Sequence, residues 1–272
     1  MPPGARIFLN PGQCGGALHL RQVLRACGAA PPRVIGETNT LTYGCRVVGP
    51  ARAWAYVLVR RVFFATLPAR EIGAFLEALR PLYPSLVPAP HVLYTSLHYL
   101  NGILHPPGMV CNAGWIEHTG GGFRYYLDGT TPAVARVIER VDGERLAILD
   151  QLGVPGVPFI DAFYEAGYTT TAARDSRSVH RAFQESEPNK PRPAPASLQH
   201  RYMDEDVPYG LVPMAALARL AGVATPTIDA LITLASVLMG TDYWREGRTA
   251  SRMGLAGRSL AEVIEDVQSG RE

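Results

Sequence analysis

The sequence predicts two parts, an α/β segment over residues 1–90 and an all-α domain over residues 91–272. Two observations support this division. Early in the chain, an apolar strand, a glycine-rich turn, a helix and a second strand follow one another, which is the order of a βαβ unit with parallel strands and a right-handed crossover. Later, apolar residues recur at helical spacing, and Gly or Pro residues stand at the expected helix ends.

The βαβ unit begins with a strand at Arg6–Asn10, followed by the turn Pro11–Gly16. The predicted helix Ala17–Cys27 ends at a glycine, which favours a helix C-terminus, and Arg33–Glu37 forms the second strand. The turn lacks the full glycine pattern of a dinucleotide-binding loop, so it is a weak phosphate-binding signal.

The rest of the first part reads as a hairpin and one helix. Thr42–Val48 and Ala53–Val59 flank a Gly-Pro turn. Arg61–Ala65 is expected to extend the sheet, Pro68–Tyr83 to form a helix and Pro84–Pro90 to serve as a connector.

The second part is predicted to be helical, apart from a small β excursion at Gly120–Gly129 and a mobile Pro-rich loop at Glu187–Pro195. Thr227–Met239 is apolar nearly all round and is expected to be central. The predicted helices are Val92–Leu104, Pro107–Glu117, Thr131–Leu152, Phe159–Gly167, Ser178–Glu185, Leu211–Leu220, Thr227–Met239, Trp244–Met253 and Ser259–Val267.

Composition narrows the function classes. Of the 272 residues, 47% are hydrophobic and 18% charged, and the net charge is +2, so nothing demands a nucleic-acid or membrane partner. No apolar run has the length of a membrane span, and the N-terminus lacks the apolar core of a signal peptide. The four scattered cysteines form no CxxC pair, which predicts buried thiols in a reducing cytoplasm and neither a disulfide framework nor a metal site.

Lysine usage excludes one kind of chemistry. Lys190 is the single lysine of the chain, and it stands in the Pro-rich run. Schiff-base catalysis needs a desolvated lysine in a pocket. Cofactors linked through lysine are therefore not expected.

His105 is the first candidate for acid–base chemistry. It precedes Pro106 and Pro107, and the second proline suits the first turn of a helix. The pattern predicts a helix that begins just after His105 and places the imidazole at its N-terminal mouth. Asn112, about two turns further on, would face the same side. A buried histidine bonded to a backbone carbonyl is the alternative.

A second charged cluster includes Arg201, Asp204 and Asp206, next to the apolar run Val207–Gly210. A carboxylate there could orient a histidine, and an arginine could bind a substrate carboxylate through two hydrogen bonds. The alternative is a solvated helix start, since acidic residues favour the first turn.

Together these motifs carry a family resemblance. His105-Pro-Pro-Gly with Asn112-Ala-Gly-Trp, then Arg201-Tyr with Asp206-Val-Pro-Tyr-Gly-Leu-Val, resembles the opine dehydrogenase family. Thr225-Pro-Thr-Ile-Asp229 is also similar. The resemblance implies a partial Rossmann-like first part and a helical domain of the 6-phosphogluconate dehydrogenase C-terminal type.

The resemblance implies an NAD(P)-dependent reductive condensation of an amino acid with a 2-oxo acid through an imine. It further implies that His105 is the general acid–base, Asp206 its orienting partner and Arg201 the ligand of a substrate carboxylate, with Asn112 lining the same pocket. Asp206 is preferred over Asp204 because it lies five residues after the arginine, as in the family.

The cofactor site departs from the family pattern. The chain contains no strand followed by G-x-G-x-x-G before Arg6, so the pyrophosphate-binding loop and the selector between NAD and NADP are expected to be absent and the chain to be N-terminally truncated. Only Pro11, Gly12 and Gly15 remain as candidate cofactor contacts.

Two rival functions stay open at this point. One is a dehydrogenase of small hydroxy acids with the same two-part plan, which would not need an added amine. The other is a truncated, non-catalytic helical oligomerisation module. For the enzyme, the expected partners are small-molecule substrates, with a homodimer as one possible assembly.

Overall fold

The computed structural model describes residues 4–270, with the side chains of Arg46 and Tyr56 outside the description. The described chain forms two compact units, residues 4–99 with 252–270 and residues 100–251. Within the described range, no helix is long and apolar enough to cross a membrane.

The first unit contains a four-stranded sheet whose strands lie in the order β1 (Arg6–Leu9), β2 (Val34–Thr38), β5 (Val62–Leu67) and β6 (Leu86–Pro88). The predicted βαβ unit is confirmed: β1 (Arg6–Leu9) and β2 (Val34–Thr38) are parallel, and α1 (Gly16–Ala26) connects them. β5 (Val62–Leu67) pairs antiparallel with β2 and parallel with β6 (Leu86–Pro88). The prediction of a plain connector over Pro84–Pro90 is therefore wrong, because its middle forms an edge strand of only three residues, too short to show a period.

The predicted hairpin is also confirmed. β3 (Tyr43–Gly49) and β4 (Arg52–Leu58) pair antiparallel as a separate two-stranded sheet. One turn of 3-10 helix (Ala69–Glu71) and α2 (Ile72–Leu79) follow β5. The apolar side of α2 packs on the sheet through residues that include Phe64, Phe75 and Leu76.

The end of the chain returns to the first unit. Helix α14 (Leu260–Ser269) carries Asp266, which is fully buried. Its two carboxylate oxygens accept hydrogen bonds of 2.7 and 2.6 Å from Arg21 of α1, and Arg258 donates another of 2.8 Å. Burial alone would raise the pKa of Asp266, but the hydrogen bonds from Arg21 and Arg258 outweigh it, so the pKa is lowered.

The second unit is helical, as predicted. Its longest helix, α6, has the predicted start, with Thr131 as the N-cap and Pro132 in the first turn. The helices of this part of the chain, with α3 of the first unit, are α3 (Val92–Leu97), α4 (Asn101–Cys111), α5 (Ala113–Thr119), α6 (Pro132–Gln151), α7 (Phe159–Glu165), α8 (Thr171–Asp175), α9 (Val179–Gln184), α10 (Arg201–Asp204), α11 (Val212–Leu220), α12 (Pro226–Met239) and α13 (Tyr243–Glu246).

Several local predictions are wrong, including the helix Trp244–Met253, of which only the start is helical, in Tyr243–Glu246. The single helix over 92–104 is two helices, α3 and α4. Residues 120–129 form turns with one isolated bridge, between Arg124 and Pro193. α12 is not central, because Leu234 and Val237 on one face are exposed. Of the cysteines, Cys14 alone is buried, while the other three are exposed, and none of the four forms a disulfide.

Backbone hydrogen bonds hold the Pro-rich run in place, in contrast to the predicted mobile loop. The carbonyl of Arg192 accepts from Tyr125 N at 2.8 Å, and Ala194 N donates to Phe123 O at 2.8 Å. The Pro-rich run therefore fixes the segment that carries Tyr125 and Tyr126. Lys190 lies within the Pro-rich run and forms an ion pair with Glu187.

The two compact units differ from the predicted division at residues 90 and 91. Helix α3 belongs to the first unit, and so does the end of the chain from Arg252. The physical reason is packing across the sequence, such as the bonds of Asp266, which a linear pattern does not show. The functional division into residues 1–90 and 91–272 remains a prediction.

Candidate active site

His105 lies within α4 and not at its N-terminal mouth. The helix begins at Asn101, so His105 is its fifth residue and Pro106 and Pro107 are inside the helix. The prediction of a helix start after His105 is therefore wrong. Proline inside a helix costs about 3 kcal/mol, but every residue of α4 from Gly102 to Met109 is buried, and this packing offsets the loss.

The imidazole of His105 pairs with Asp206 across 101 residues of sequence. The Nδ1 atom lies 2.6 Å from Asp206 Oδ2, and both side chains are buried. An ionised carboxylate only accepts hydrogen bonds, so Nδ1 carries the shared proton. This arrangement leaves Nε2 as the atom that can accept or donate a proton to another group.

The backbone on both sides of Asp206 is constrained. Before it, α10 is capped by the side chain of His200, which accepts a hydrogen bond from Tyr202 N at 3.3 Å. After it, Val207–Leu211 forms a turn of π-helix in which Leu211 N donates to Asp206 O at 3.1 Å. Turns of this kind are frequent at functional sites, and this one directs the carboxylate towards α4.

Three tyrosines surround the imidazole. Tyr126 Oη lies 3.0 Å from His105 Nε2 and 3.2 Å from Tyr202 Oη. The ring of Tyr202 stacks on the imidazole with centroids 3.6 Å apart. Tyr125 Oη donates to the carbonyl of His105 at 2.8 Å. The ring plane, the backbone and both nitrogen atoms of His105 are therefore held.

The environment keeps the neighbouring groups neutral. Burial, reinforced by Tyr202, raises the pKa of Tyr126 well above its usual value, and burial does the same for Tyr125. Burial lowers the pKa of His200, and the charges of His105 and Arg201 lower it further. Neutral His200 matches its role as acceptor at the start of α10.

Arg201 lies at the first position of α10, and 53% of its side chain is exposed. Its Nε atom approaches Glu205 Oε2 at 3.4 Å. An exposed pair of this kind contributes little to stability. A substrate carboxylate could therefore replace Glu205 as the partner of Arg201 at little cost in free energy.

Asn112 closes α4 rather than continuing it. Its buried amide donates to Gly108 O at 2.8 Å and to Gly129 O at 3.1 Å. These bonds tie α4 to the segment that carries Tyr126. Both amide hydrogens are engaged with the backbone, so the role of Asn112 includes fixing this segment.

In the first unit, the predicted cofactor turn is packed around Glu37. Gly12 and Gly15 are buried and Pro11 is partly exposed. Gly15 N donates to Ser96 Oγ at 2.9 Å, and Ala17 N donates to Glu37 Oε2 at 2.7 Å. A buried acidic group at the start of α1 repels negative charge, so this turn does not fit a pyrophosphate.

Glu37 also explains why position 12 is a glycine. A Cβ atom on Gly12 would lie 2.4 Å from Glu37 Oε2. Among the described residues, no cluster of three or more His, Cys, Asp or Glu side chains could hold a metal ion.

Sequence reasoning assigned no role to Tyr125, Tyr126, Tyr202 and His200. Tyr202 stands inside the motif around Arg201, and this adjacency was the available signal. Tyr126 stands in a glycine-rich segment without a period, and only the folded chain brings it to His105.

Comparison with known proteins gives concordant results. Residues 88–239 match the family described as NAD/NADP octopine/nopaline dehydrogenase, alpha-helical domain. An opine dehydrogenase from Arthrobacter sp. (strain 1C) is 38% identical over 265 residues, which are 97% of this chain and 72% of that protein.

Two solved structures share the fold. An octopine dehydrogenase with NADH and L-arginine has a TM-score of 0.73 and 19% identity, over 99% of this chain and 72% of that one. A yersinopine dehydrogenase with NADP+ has a TM-score of 0.67 and 15% identity, over 98% and 73% of the two chains.

The sheet of the first unit and the helical second unit match the fold of these structures, so the predicted fold class is confirmed. The family match and the opine dehydrogenase relative make the chain an NAD(P)-dependent oxidoreductase. The family match and the 38% identical relative also identify one family within this class. The chain belongs to the octopine/nopaline dehydrogenase family of opine dehydrogenases.

Proposed function

We propose that this chain catalyses the reductive condensation of an amino acid with a 2-oxo acid, in which an imine forms and is reduced. Membership of the opine dehydrogenase family supports this reaction class. NAD(P)H supplies the hydride in such enzymes. The L-arginine in the related octopine dehydrogenase structure makes amino acids the substrate class to test first.

The observation that supports the mechanism most directly is the 2.6 Å contact between His105 and Asp206. Imine formation requires protonation of the oxygen that leaves as water, and His105 Nε2 is suited to donate that proton. Asp206 holds the tautomer and stabilises the imidazolium that forms when Nε2 gains a proton. In this proposal His105 is the general acid–base and Asp206 is its positioning partner.

For Arg201 we propose that the guanidinium binds a substrate carboxylate. A planar fork of N–H donors matches a carboxylate better than a lysine would. Asn112 contributes to the same pocket by fixing the segment that carries Tyr126 through its bond to Gly129 O.

We propose that Pro11, Gly12 and Gly15 contact only an uncharged part of the cofactor, because the buried carboxyl group of Glu37 disfavours a pyrophosphate at this turn. A cytoplasmic location is proposed on the free cysteines, which suit a reducing compartment. A homodimer is proposed as the assembly to test by mass measurement.

The test is NADH and NADPH oxidation by the purified full chain, followed by absorbance, with 2-oxo acids and amino acids supplied separately and together. We expect oxidation only when both substrates are present, and we expect His105→Ala to abolish it while His118→Ala, on the exposed part of α5, retains it.

Turnover with a 2-oxo acid alone would replace this proposal with that of a hydroxy-acid dehydrogenase. Turnover that survives His105→Ala would remove His105 from the mechanism. A product mass equal to the two substrates joined with loss of water and gain of two hydrogen atoms would support the condensation directly.

A further inference from the structure

The hydrogen bonds of His105 continue beyond the His–Asp pair. Nε2 contacts Tyr126 Oη at 3.0 Å, and Tyr126 Oη contacts Tyr202 Oη at 3.2 Å. His105 is 6% exposed and Tyr126 is 9% exposed, whereas Tyr202 is only partly buried. The three groups therefore form a connected row from a buried nitrogen to a side chain that is partly exposed.

The direction of each hydrogen bond follows from the carboxylate. Because Nδ1 donates to Asp206, the neutral imidazole accepts at Nε2. Tyr126 must then donate to Nε2, and Tyr202 must donate to the oxygen of Tyr126. When Nε2 is protonated it becomes a donor, and the hydrogen bonds of both hydroxyl groups reverse direction. The row is consistent with either protonation state of His105.

The reaction requires such a connection. At neutral pH, an ammonium group, a 2-oxo acid and NAD(P)H yield a secondary ammonium, water and NAD(P)+ with net uptake of one proton. That proton has to come from solvent in every turnover, yet the acid–base group is buried.

We propose that Tyr126 and Tyr202 form a proton relay that reprotonates His105 between turnovers. This inference rests on the proposed function of the same site. In the relay, Tyr202 takes a proton from solvent and passes its own to the oxygen of Tyr126, and Tyr126 passes its own to His105 Nε2. Each phenol gains one proton and loses one, and the product is an imidazolium paired with Asp206.

The surroundings favour transfer without a charged intermediate. Burial raises the pKa of Tyr126 well above its usual value, so a phenolate is disfavoured and the two transfers are coupled. The groups that face this row are Asp206, His200 and Tyr125, together with the two relay tyrosines.

The geometry is also maintained by apolar contacts that a phenylalanine would keep. The Tyr202 ring stacks on His105 at 3.6 Å, and the Tyr126 ring stacks on Phe183 at 5.4 Å. Replacement of either tyrosine by phenylalanine therefore removes the hydroxyl group and preserves the ring packing. These substitutions separate proton transfer from positioning.

The first experiment compares the first turnover with later turnovers by stopped flow in wild type, Tyr126→Phe and Tyr202→Phe. We expect a first turnover close to the wild-type rate, followed by a steady state slowed about 100-fold, the lower end of the range for acid–base effects. Added imidazole should accelerate the steady state of the variants and not that of wild type. Tyr164→Phe, which removes an exposed hydroxyl group that accepts a hydrogen bond of 3.2 Å from Thr171 Oγ1, is the matched control.

Equal slowing of the first and later turnovers would make Tyr126 a positioning residue and overturn the relay. Unchanged rates in both variants would overturn it as well. Tyr202→Phe keeps the proposal testable if loss of the buried Tyr126 hydroxyl group impairs folding, because Tyr202 is less buried.

A second readout does not depend on activity. In protein with 15N-labelled histidine at acidic pH, exchange of the His105 Nε2 proton with water can be measured by magnetisation transfer. The relay predicts exchange about 100-fold slower in Tyr126→Phe than in wild type, and equal exchange would overturn it. If wild type fails to turn over amino acid and oxo acid, the proposed function fails while this measurement still decides the relay.

Discussion

A Cβ atom built on Gly102 would stand 3.2 Å from the Cα atom of Gly210. The two glycines let the backbone of α4 approach the π-helical turn closely. His105 lies one helical turn after Gly102, on the same side of α4, and Asp206 directly precedes the turn that contains Gly210. The close approach therefore brings the imidazole within 2.6 Å of the carboxylate.

Gly102→Ala should separate His105 from Asp206. Alanine improves helix propensity by about 0.5–1 kcal/mol, but its methyl group meets backbone, and overpacking of a core typically costs about 1–3 kcal/mol. We expect lower stability in urea unfolding and lower turnover.

Gly143→Ala in α6 is the control, because nothing lies within 4 Å of the added methyl group. This variant should be more stable than wild type by about 0.5–1 kcal/mol. If both substitutions shifted stability in the same direction, the close approach at Gly102 would not be the cause.

Asp206→Asn should reduce kcat by about 10²- to 10⁴-fold, because an amide can present its NH₂ group to Nδ1 and favour the wrong tautomer of His105. Steady-state kinetics with saturating substrates measures the loss. Asp204→Asn, which alters a carboxylate bonded to Tyr243 Oη at 3.1 Å, should retain activity. Similar losses in the two variants would contradict the assignment of Asp206 as the partner of His105.

Arg201→Met should raise the KM for one substrate by about 10- to 100-fold, which corresponds to a charge-assisted hydrogen bond of about 1.5–3 kcal/mol. The effect on kcat should be smaller, because the contact is made in both the bound substrate and the transition state. Arg245→Met removes an arginine that is exposed on α13 and should leave KM unchanged. A fall in kcat at constant KM would argue against carboxylate binding by Arg201.

Asp266→Asn should destabilise the chain by about 3 kcal/mol at pH 7, since removal of one partner from a buried ion pair leaves the other charges unpaired. The measurement is urea unfolding, compared with Glu265→Gln on the exposed face of α14. If Asp266→Asn lowered the free energy of unfolding by less than Glu265→Gln does, the contacts of Arg21 and Arg258 would contribute little to stability.

The same pair predicts a dependence on pH. The pKa of Asp266 is lower in the folded chain than the value of about 3.9 expected when unfolded. Its contribution to the free energy of unfolding is therefore fully present above about pH 4 and is lost as pH falls through the folded pKa. The stability difference between wild type and Asp266→Asn should narrow below about pH 4 and stay constant between about pH 5 and 8.

Local pattern was sufficient for much of the fold. The strand, turn and helix at the start of the chain and the hairpin β3–β4 were predictable, because each is specified by the period of its apolar residues and by turn residues. The start of α6 at Thr131 and Pro132 was predictable for the same reason. The strand β6 was missed because three residues are too few to show a period.

The candidate site was predictable only in part. The motif around His105 and the motif around Asp206 were recognisable from resemblance to a family, and the structure brings both residues together at 2.6 Å. The prolines after His105 pointed to a helix start, but the burial of α4 outweighs their local preference. Tyr126 had no signal of its own, because its segment is fixed by a hydrogen bond from Asn112 and by one that Tyr125 N donates to the carbonyl of Arg192.

Residue order alone therefore indicated most of the strands and helices, the family and a candidate acid–base pair, because these depend on local periodicity and on motifs that are contiguous in the chain. The tertiary structure decided where His105 lies in its helix, which tyrosines contact Nε2 and which unit the end of the chain joins. Those features depend on contacts between residues far apart in sequence, and such contacts arise only when burial of apolar surface outweighs local conformational preference.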